Sequence, residues 1–262
     1  MSSVLTNIEN GVATVILNRP DVLNALNPEM ARNLHGRLED VAADDSVRCV
    51  VLKGAGTGFM AGGDIGFFKS ALTEFGAGRF DGIDPIFEHV HGIVAALRSM
   101  PVPVVGALHG AVAGFGVSLA AACDLAVAAE ETRFTLAYCH IGTSPDGGIT
   151  YVLPRIVGLK KAMELTLLGD RFDAQDALAM GLVNKVVPAA GLELAVTDWV
   201  QRITAGPRLA YSKTKALLYH SLESGFDAQV ELEETSFKEC ARTRDFAEGV
   251  SAFIEKRKAK FG

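Results

Sequence analysis

Charge and cysteine are each in short supply somewhere along this sequence, and each shortage bears on the class of protein. The chain has 262 residues but only four cysteines and one tryptophan. Cys49, Cys123, Cys139 and Cys240 form no CxxC pair and no cysteine/histidine spacing suited to zinc. Three of the four sit in apolar surroundings, so they read as reduced, buried thiols, and no metal site is expected. The run from Ser99 to Cys123 contains no Lys, Arg, Asp or Glu, and it exceeds the ~18 residues that suggest a membrane span. Its content argues otherwise. Pro101, Pro103, His109, Ser118 and the glycines Gly106, Gly110, Gly114 and Gly116 interrupt it, and Asp124 follows directly. It reads as buried structure broken by a glycine turn. The opening residues MSSVLTNIEN carry neither a charged n-region nor an apolar h-region, so a cytoplasmic location is expected. A net charge of -6 speaks against a general nucleic-acid binder, whose surface must be basic.

The remaining composition, 49% hydrophobic and 21% charged with 27 glycines, is that of a folded globular chain. Val4 to Ile8 and Val12 to Leu17 flank Asn10-Gly11 and predict a hairpin. Asn27-Pro28-Glu29 predicts a capped helix running to about Asp44. Strands are expected at Val47 to Leu52, Val102 to Leu108 and Leu125 to Ala128, with helices at about Asp84 to Arg98 and through Ala121. Alternation of strand and helix points to an α/β fold. From about Pro207 to Lys260 two or three amphipathic helices are expected, with Phe246, Val250, Phe253 and Ile254 on one face of the last.

Chemistry is expected in three glycine-rich loops, Gly54 to Asp64, Gly110 to Gly116 and Gly142 to Gly148, each following a strand. Backbone N–H groups at such places can hold an anion or a developing oxyanion, although glycine clusters also simply make turns. Gly114-Phe115-Gly116-Val117-Ser118-Leu119 lacks the third glycine of a dinucleotide fingerprint, and Gly54 to Gly58 lacks the GK[ST] of a phosphate loop. Gly116-Val117-Ser118-Leu119-Ala120 approximates a hydrolase nucleophile elbow, but Ser118 falls within a helix rather than at the turn.

Asn18-Arg19-Pro20 with Asn24-Ala25-Leu26, Ala61-Gly62-Gly63-Asp64-Ile65, His109-Gly110 through Gly116 to Cys123-Asp124, Gly142 to Gly148, Gly181-Leu182-Val183 and Ala252 to Arg257 together resemble the enoyl-CoA hydratase/isomerase (crotonase) family, in order and over almost the whole chain. The resemblance implies an α/β spiral of β-β-α units over residues 1–204 and a helical trimerisation region over 205–262, assembled as trimers or paired trimers. It implies an acyl-CoA thioester as substrate, coenzyme A being part of that substrate rather than a separate cofactor. The thioester oxygen would be held by the N–H groups of Gly63 and Phe115, the latter in place of the usual glycine. Val22, Leu23, Ala25, Ala61, Asp64, Ile65 and Gly114 would join Gly63 in binding the substrate.

The two glutamates that family hydratases use are replaced here by Ser118 and Tyr138. Asp146, in Ser144-Pro145-Asp146-Gly147-Gly148, remains, a pattern similar to Δ3,Δ2-enoyl-CoA isomerases and to epoxyphenylacetyl-CoA isomerases. Read without the resemblance, Asp146 is a helix cap or turn residue. With it, the residue is expected to be the single base of an isomerase acting through an enolate. A hydratase using Asp146 and Tyr138, and a catalytically silent acyl-CoA-binding homologue, are the alternatives; a nucleophilic aspartate in this loop also occurs in a related dehalogenase.

Overall fold

The computed structural model of the chain describes residues 2–76 and 84–262. β1 (Val4–Glu9) and β2 (Val12–Leu17) form the expected hairpin, Val4 opposite Leu17 and Glu9 opposite Val12. Asn10 and Gly11 both take positive φ, 52° and 77°, the conformation that Asn-Gly adopts with least strain. α1 (Pro28–Ala43) begins as expected, with the Asn27 carboxamide accepting from the Met30 N–H at 2.9 Å and Pro28 in the first turn. Met30, Leu34, Leu38 and Val41 recur at helical spacing and bury one stripe of it.

β3 (Cys49–Gly54) lies parallel to β2, starting two residues later than Val47 because Val47 and Arg48 still belong to the turn from α1. Then follow α2 (Ile65–Phe75), α3 (Asp84–Ser99), β4 (Val104–Leu108), β5 (Ala111–Ala113), α4 (Phe115–Ala122), β6 (Leu125–Ala129) and β7 (Arg133–Thr135). The rest comprises α5 (Ile149–Val157), α6 (Leu159–Leu168), β8 (Phe172–Asp173), α7 (Ala174–Ala179), β9 (Lys185–Val187), α8 (Leu192–Thr204), α9 (Arg208–His220), α10 (Phe226–Ala241) and α11 (Arg244–Ile254).

The strands form two sheets, a large one in the order β1-β2-β3-β4-β6-β9 and a small one in the order β5-β7-β8. β4 enters the large sheet, β5 the small one, and α4 completes the turn; β6 and β7 repeat the pattern. This is the α/β spiral of β-β-α units. The uncharged run from Ser99 to Cys123 is its centre: every residue of β4 is buried, and so is every residue of α4 but Ala121. A helix enclosed on all sides has no position at which an unpaired charge could be solvated, which accounts for the missing charge. No helix among the described residues is long and apolar enough to cross a membrane.

Two sequence expectations need correction. Gly110 to Gly116 is not one turn, because β5 occupies its middle and pairs parallel with β7. Only two of the cysteines, Cys49 and Cys123, are buried; Cys139 is exposed and Cys240 half-buried. Cys139 lies in a short 3-10 turn, Tyr138–Ile141, that turns Tyr138 inward and leaves Cys139 and His140 outside.

The helices after Thr204 dock through buried polar groups. Lys215 of α9, 8% exposed, donates to the carbonyls of Leu97 and Val102 and to Asp124 Oδ2, and Tyr219 donates to Asp124 Oδ1. Arg48 reaches the carbonyls of Thr204, Gly206 and Gly262.

Candidate active site

The three glycine-rich loops meet at one cavity of about 610 Å³. Its floor is built by two chain reversals in contact. Gly62 (φ 90°) and Gly114 (φ 51°, ψ -123°) both use backbone that L side chains rarely adopt, and a Cβ on Gly114 would sit 3.4 Å from the Gly62 Cα. Close approach is completed by Gly116, where a Cβ would lie 2.4 Å from the Met60 carbonyl oxygen. Parallel bridges, Leu26 with Gly63 and Met60 with Val112, hold the reversals in register.

The residue after each reversal presents its N–H group. Gly63 N and Phe115 N donate to no acceptor among the described residues, and both residues line the cavity. Phe115 is the first residue of α4, so its N–H is one of the free donors at a helix start, reinforced by the helix dipole. Phenylalanine is tolerated there because the positive φ falls on Gly114 and not on Phe115. Its ring packs on Gly147, where a Cβ would lie 2.6 Å from it.

A buried asparagine fixes the loop that carries Gly63. Asn24, 0% exposed at φ 58°, donates through Nδ2 to the carbonyls of Ala55, Gly58 and Phe59 and accepts the Arg19 N–H. Leu23 accepts from Ala61 N–H, and Leu26 N–H donates to Gly62. Arg19 also bonds the Ala25 carbonyl and pairs with Asp64 at 2.8 Å. Partial burial works against the charge on Asp64, but Arg19 and the N–H groups of Gly66 and Phe67 outweigh it and hold the carboxyl below its usual range. Asp64 is thus the N-cap of α2. Of the residues expected to bind substrate, Ala61, Gly63, Ile65 and Gly114 line the cavity, whereas Val22, Leu23, Ala25 and Asp64 do not. Val22 and Leu23 stand exposed on the loop hydrogen-bonded to it, and Ala25 is buried beneath.

Asp146 is the one carboxylate among the described residues lining the cavity. It is not the N-cap of α5: that position belongs to Gly148, and no side chain caps the helix. Instead Asp146 Oδ1 accepts from the Tyr138 hydroxyl at 2.6 Å, and the Asp146 main-chain carbonyl accepts from Ser118 Oγ at 3.0 Å. Burial raises the Asp146 pKa above the ordinary carboxylate value, opposed by the Tyr138 hydrogen bond and the charge of His91. Tyr138, itself buried beside that carboxylate, is pushed upward and stays a neutral donor. Ser118 has no imidazole partner among the described residues, so a hydrolase triad has no base.

The remaining wall is apolar. Ile86, Phe87, Val90 and His91 present one face of α3, opposite Ile65, Phe68 and Leu136. Sequence reading passed over His91, although its spacing from Phe87 was visible; Asn24 was quoted only as part of a motif.

The enoyl-CoA hydratase/isomerase family profile matches residues 7–262. The chain is 34% identical over 258 residues to a trans-2-decenoyl-[acyl-carrier-protein] isomerase of Streptococcus mutans, covering 98% of this chain and 97% of that one. It is 34% identical over 261 residues to the 1,2-epoxyphenylacetyl-CoA isomerase of Escherichia coli, covering 100% and 98%. The crystal structure of an enoyl-CoA hydratase from Polaromonas sp. JS666 superposes with a TM-score of 0.92 at 30% identity, covering 99% of both chains. With its spiral fold, its paired glycine reversals and a match along nearly its whole length, this chain belongs to the enoyl-CoA hydratase/isomerase (crotonase) family.

Proposed function

We propose that the protein is an acyl-CoA isomerase that moves a double bond, from 3-enoyl to 2-enoyl thioester or in a related ring acyl-CoA, using Asp146 as its single base. The observation that carries this reading is that Asp146 is the one carboxylate among the described residues lining the cavity, while the two positions at which family hydratases keep glutamates hold Ser118 and Tyr138. Adding water across a double bond takes one group to activate the water and another to deliver a proton to carbon. Moving the bond needs one group that takes a proton and gives it back.

In this mechanism the thioester oxygen accepts from the N–H groups of Gly63 and Phe115. Asp146 removes a proton from C2, the C2–H electron pair delocalises through the thioester and the C3–C4 double bond, and negative charge collects on the oxygen. Two N–H donors fixed by the fold stabilise that charge without reorganising, and one such donor is worth about 10²–10³ in rate. The protonated Asp146 then returns the proton at C4, leaving the double bond between C2 and C3. A carboxyl made more basic by burial is better matched to an acidic C–H than an ordinary aspartate.

Residues 205–262 complete the proposal as an oligomerisation region. Phe226, Phe253 and Ile254 there are 83%, 86% and 73% exposed, as expected of side chains covered by neighbouring copies in a trimer or hexamer. The functional test compares two reactions of the wild-type protein, isomerisation of a 3-enoyl-CoA and hydration of crotonyl-CoA. Isomerisation is expected to dominate; hydration at equal or greater kcat/KM overturns the proposal in favour of a hydratase.

A further inference from the structure

The side chains standing where the family glutamates would be are bonded to the base itself. Ser118 Oγ donates to the Asp146 carbonyl at 3.0 Å, and the Tyr138 hydroxyl donates to Asp146 Oδ1 at 2.6 Å. At 2.6 Å the second bond has the length of a charge-assisted O–H···O⁻ hydrogen bond, stronger than a neutral one. No hydrogen bond among the described residues reaches Asp146 Oδ2.

These bonds are not incidental to packing. Asp146 lies on a loop whose next two residues, Gly147 and Gly148, take φ of 61° and 72°, and no side-chain cap ties that loop to α5. One long backbone bond, from Ile149 N–H to the Asp146 carbonyl at 3.3 Å, ties the loop to α5, but the carboxylate of a base there has to be held from outside. Ser118 belongs to the enclosed helix α4 and is 2% exposed; Tyr138 is 8% exposed. One fixes the main chain of Asp146 and the other its carboxylate.

We propose that Tyr138 is a positioning residue for Asp146: its hydroxyl engages Oδ1, fixes the plane of the carboxylate and leaves Oδ2 as the oxygen that handles the substrate proton, while Ser118 fixes the main chain beneath it. The replacements that removed the hydratase acids thereby supply the support that a one-base isomerase requires. This inference rests on Asp146 being the base. It also has an electrostatic side, because a donor on Oδ1 stabilises the carboxylate against the burial that favours its protonated form. The other titratable groups of described residues lining the cavity with Asp146 are His91 from α3 and His140 from the 3-10 turn, and both remain in the variant that tests the idea.

The test is Tyr138→Phe, which removes one oxygen and keeps the ring, with Ser118→Ala beside it and unfolding temperatures to verify folding. With a 3-enoyl-CoA substrate, Tyr138→Phe is expected to lower kcat at neutral pH about tenfold, less than the ~10²-fold that a 1 Å misplacement can cost, because Ser118 still holds the main chain. KM should change little, and the acid limb of the kcat profile should move to higher pH, so that raising the pH restores part of the rate. A second readout needs no turnover: the Asp146 carboxyl carbon, labelled with ¹³C and assigned by its loss in Asp146→Asn, should titrate at higher pH in Tyr138→Phe than in wild type. An unmoved titration overturns the positioning role and leaves Tyr138 a wall residue. A moved titration in a protein that turns over no enoyl thioester upholds the positioning role and overturns the isomerase reading, so the two failures are distinguishable.

Discussion

Replacing Lys215 with methionine deprives a buried carboxylate of its cation. Lys215 Nζ lies 2.8 Å from Asp124 Oδ2, with side-chain exposures of 7% and 16%, and also donates to the carbonyls of Leu97 and Val102. Asp124 in turn accepts the Val104 N–H at the start of β4 and the Tyr219 hydroxyl. The pair therefore joins four parts of the fold: helix α3 through Leu97, the start of β4, the end of α4 and helix α9. Methionine fills much of the lysine volume, so the loss is chiefly electrostatic. Breaking a buried pair by removing one partner costs about 3–5 kcal/mol, and that corresponds to a fall in unfolding temperature of roughly 6–20 °C for a chain of this size. The assay is thermal unfolding followed by circular dichroism, for wild type, Lys215→Met and the double variant Lys215→Met/Asp124→Asn. Asparagine keeps an acceptor for Val104 N–H while discarding the orphaned charge, so the double variant should regain more than half of the loss. A single variant within about 2 °C of wild type would refute the reasoning, since 2 °C corresponds to no more than about 1 kcal/mol. So would a double variant no more stable than the single one, because the damage would then not come from an unpaired charge.

Four further outcomes follow from the site. Since burial raises the Asp146 pKa and the proposed base works only when ionised, kcat/KM should fall as pH drops through a value above the ordinary aspartate range near ~4; activity flat to pH 4 would contradict this. The same shift carries the opposite sign for stability: a carboxyl with a raised folded-state pKa weakens the fold at neutral pH, a penalty relieved as pH falls, so Asp146→Asn should unfold no earlier than wild type at pH 7. Gly147→Ala would place a Cβ 2.6 Å from the Phe115 ring and 2.9 Å from Ser118 Cβ at a φ of 61°, and should lower kcat about tenfold or more by displacing Asp146; unchanged kcat would show that the loop absorbs the methyl. Asn24→Ala strands the carbonyls of Ala55, Gly58 and Phe59 and the Arg19 N–H, at a cost of about 2–4 kcal/mol readable in a denaturant melt, and a loss under about 1 kcal/mol would mean that the loop re-pairs them.

Local chemistry was legible in the sequence. Asn10-Gly11 specifies its turn through two positive φ angles, and Asn27-Pro28 specifies a helix start through one side-chain acceptor and one missing donor; neither depends on distant residues. The small sheet was not legible. β5 and β8 have three and two residues, too few for a periodicity, and exist because β7 pairs with both. At the site, the resemblance pointed to Gly63, Phe115 and Asp146, and the structure brings all three to one cavity. The hydrogen bonds from Tyr138 and Ser118 to Asp146 could not be read in advance, because they depend on how the chain folds back between them through the positive-φ residues Ala137 and Gly142. Val22, Leu23 and Ala25 were placed by motif alone, and the cavity wall passes them by.

The central claim is that one carboxylate performs the proton transfer. Asp146→Asn keeps the size of the side chain and an oxygen to accept from Tyr138, and removes only the base. Measured at pH 7 by the rate of conversion of a 3-enoyl-CoA to its 2-enoyl isomer, at saturating substrate and beside an unfolding curve, the variant should retain its fold and lose at least about 10²-fold in kcat, the lower range for a general acid–base group. Isomerisation by the asparagine variant at the wild-type rate would contradict the account.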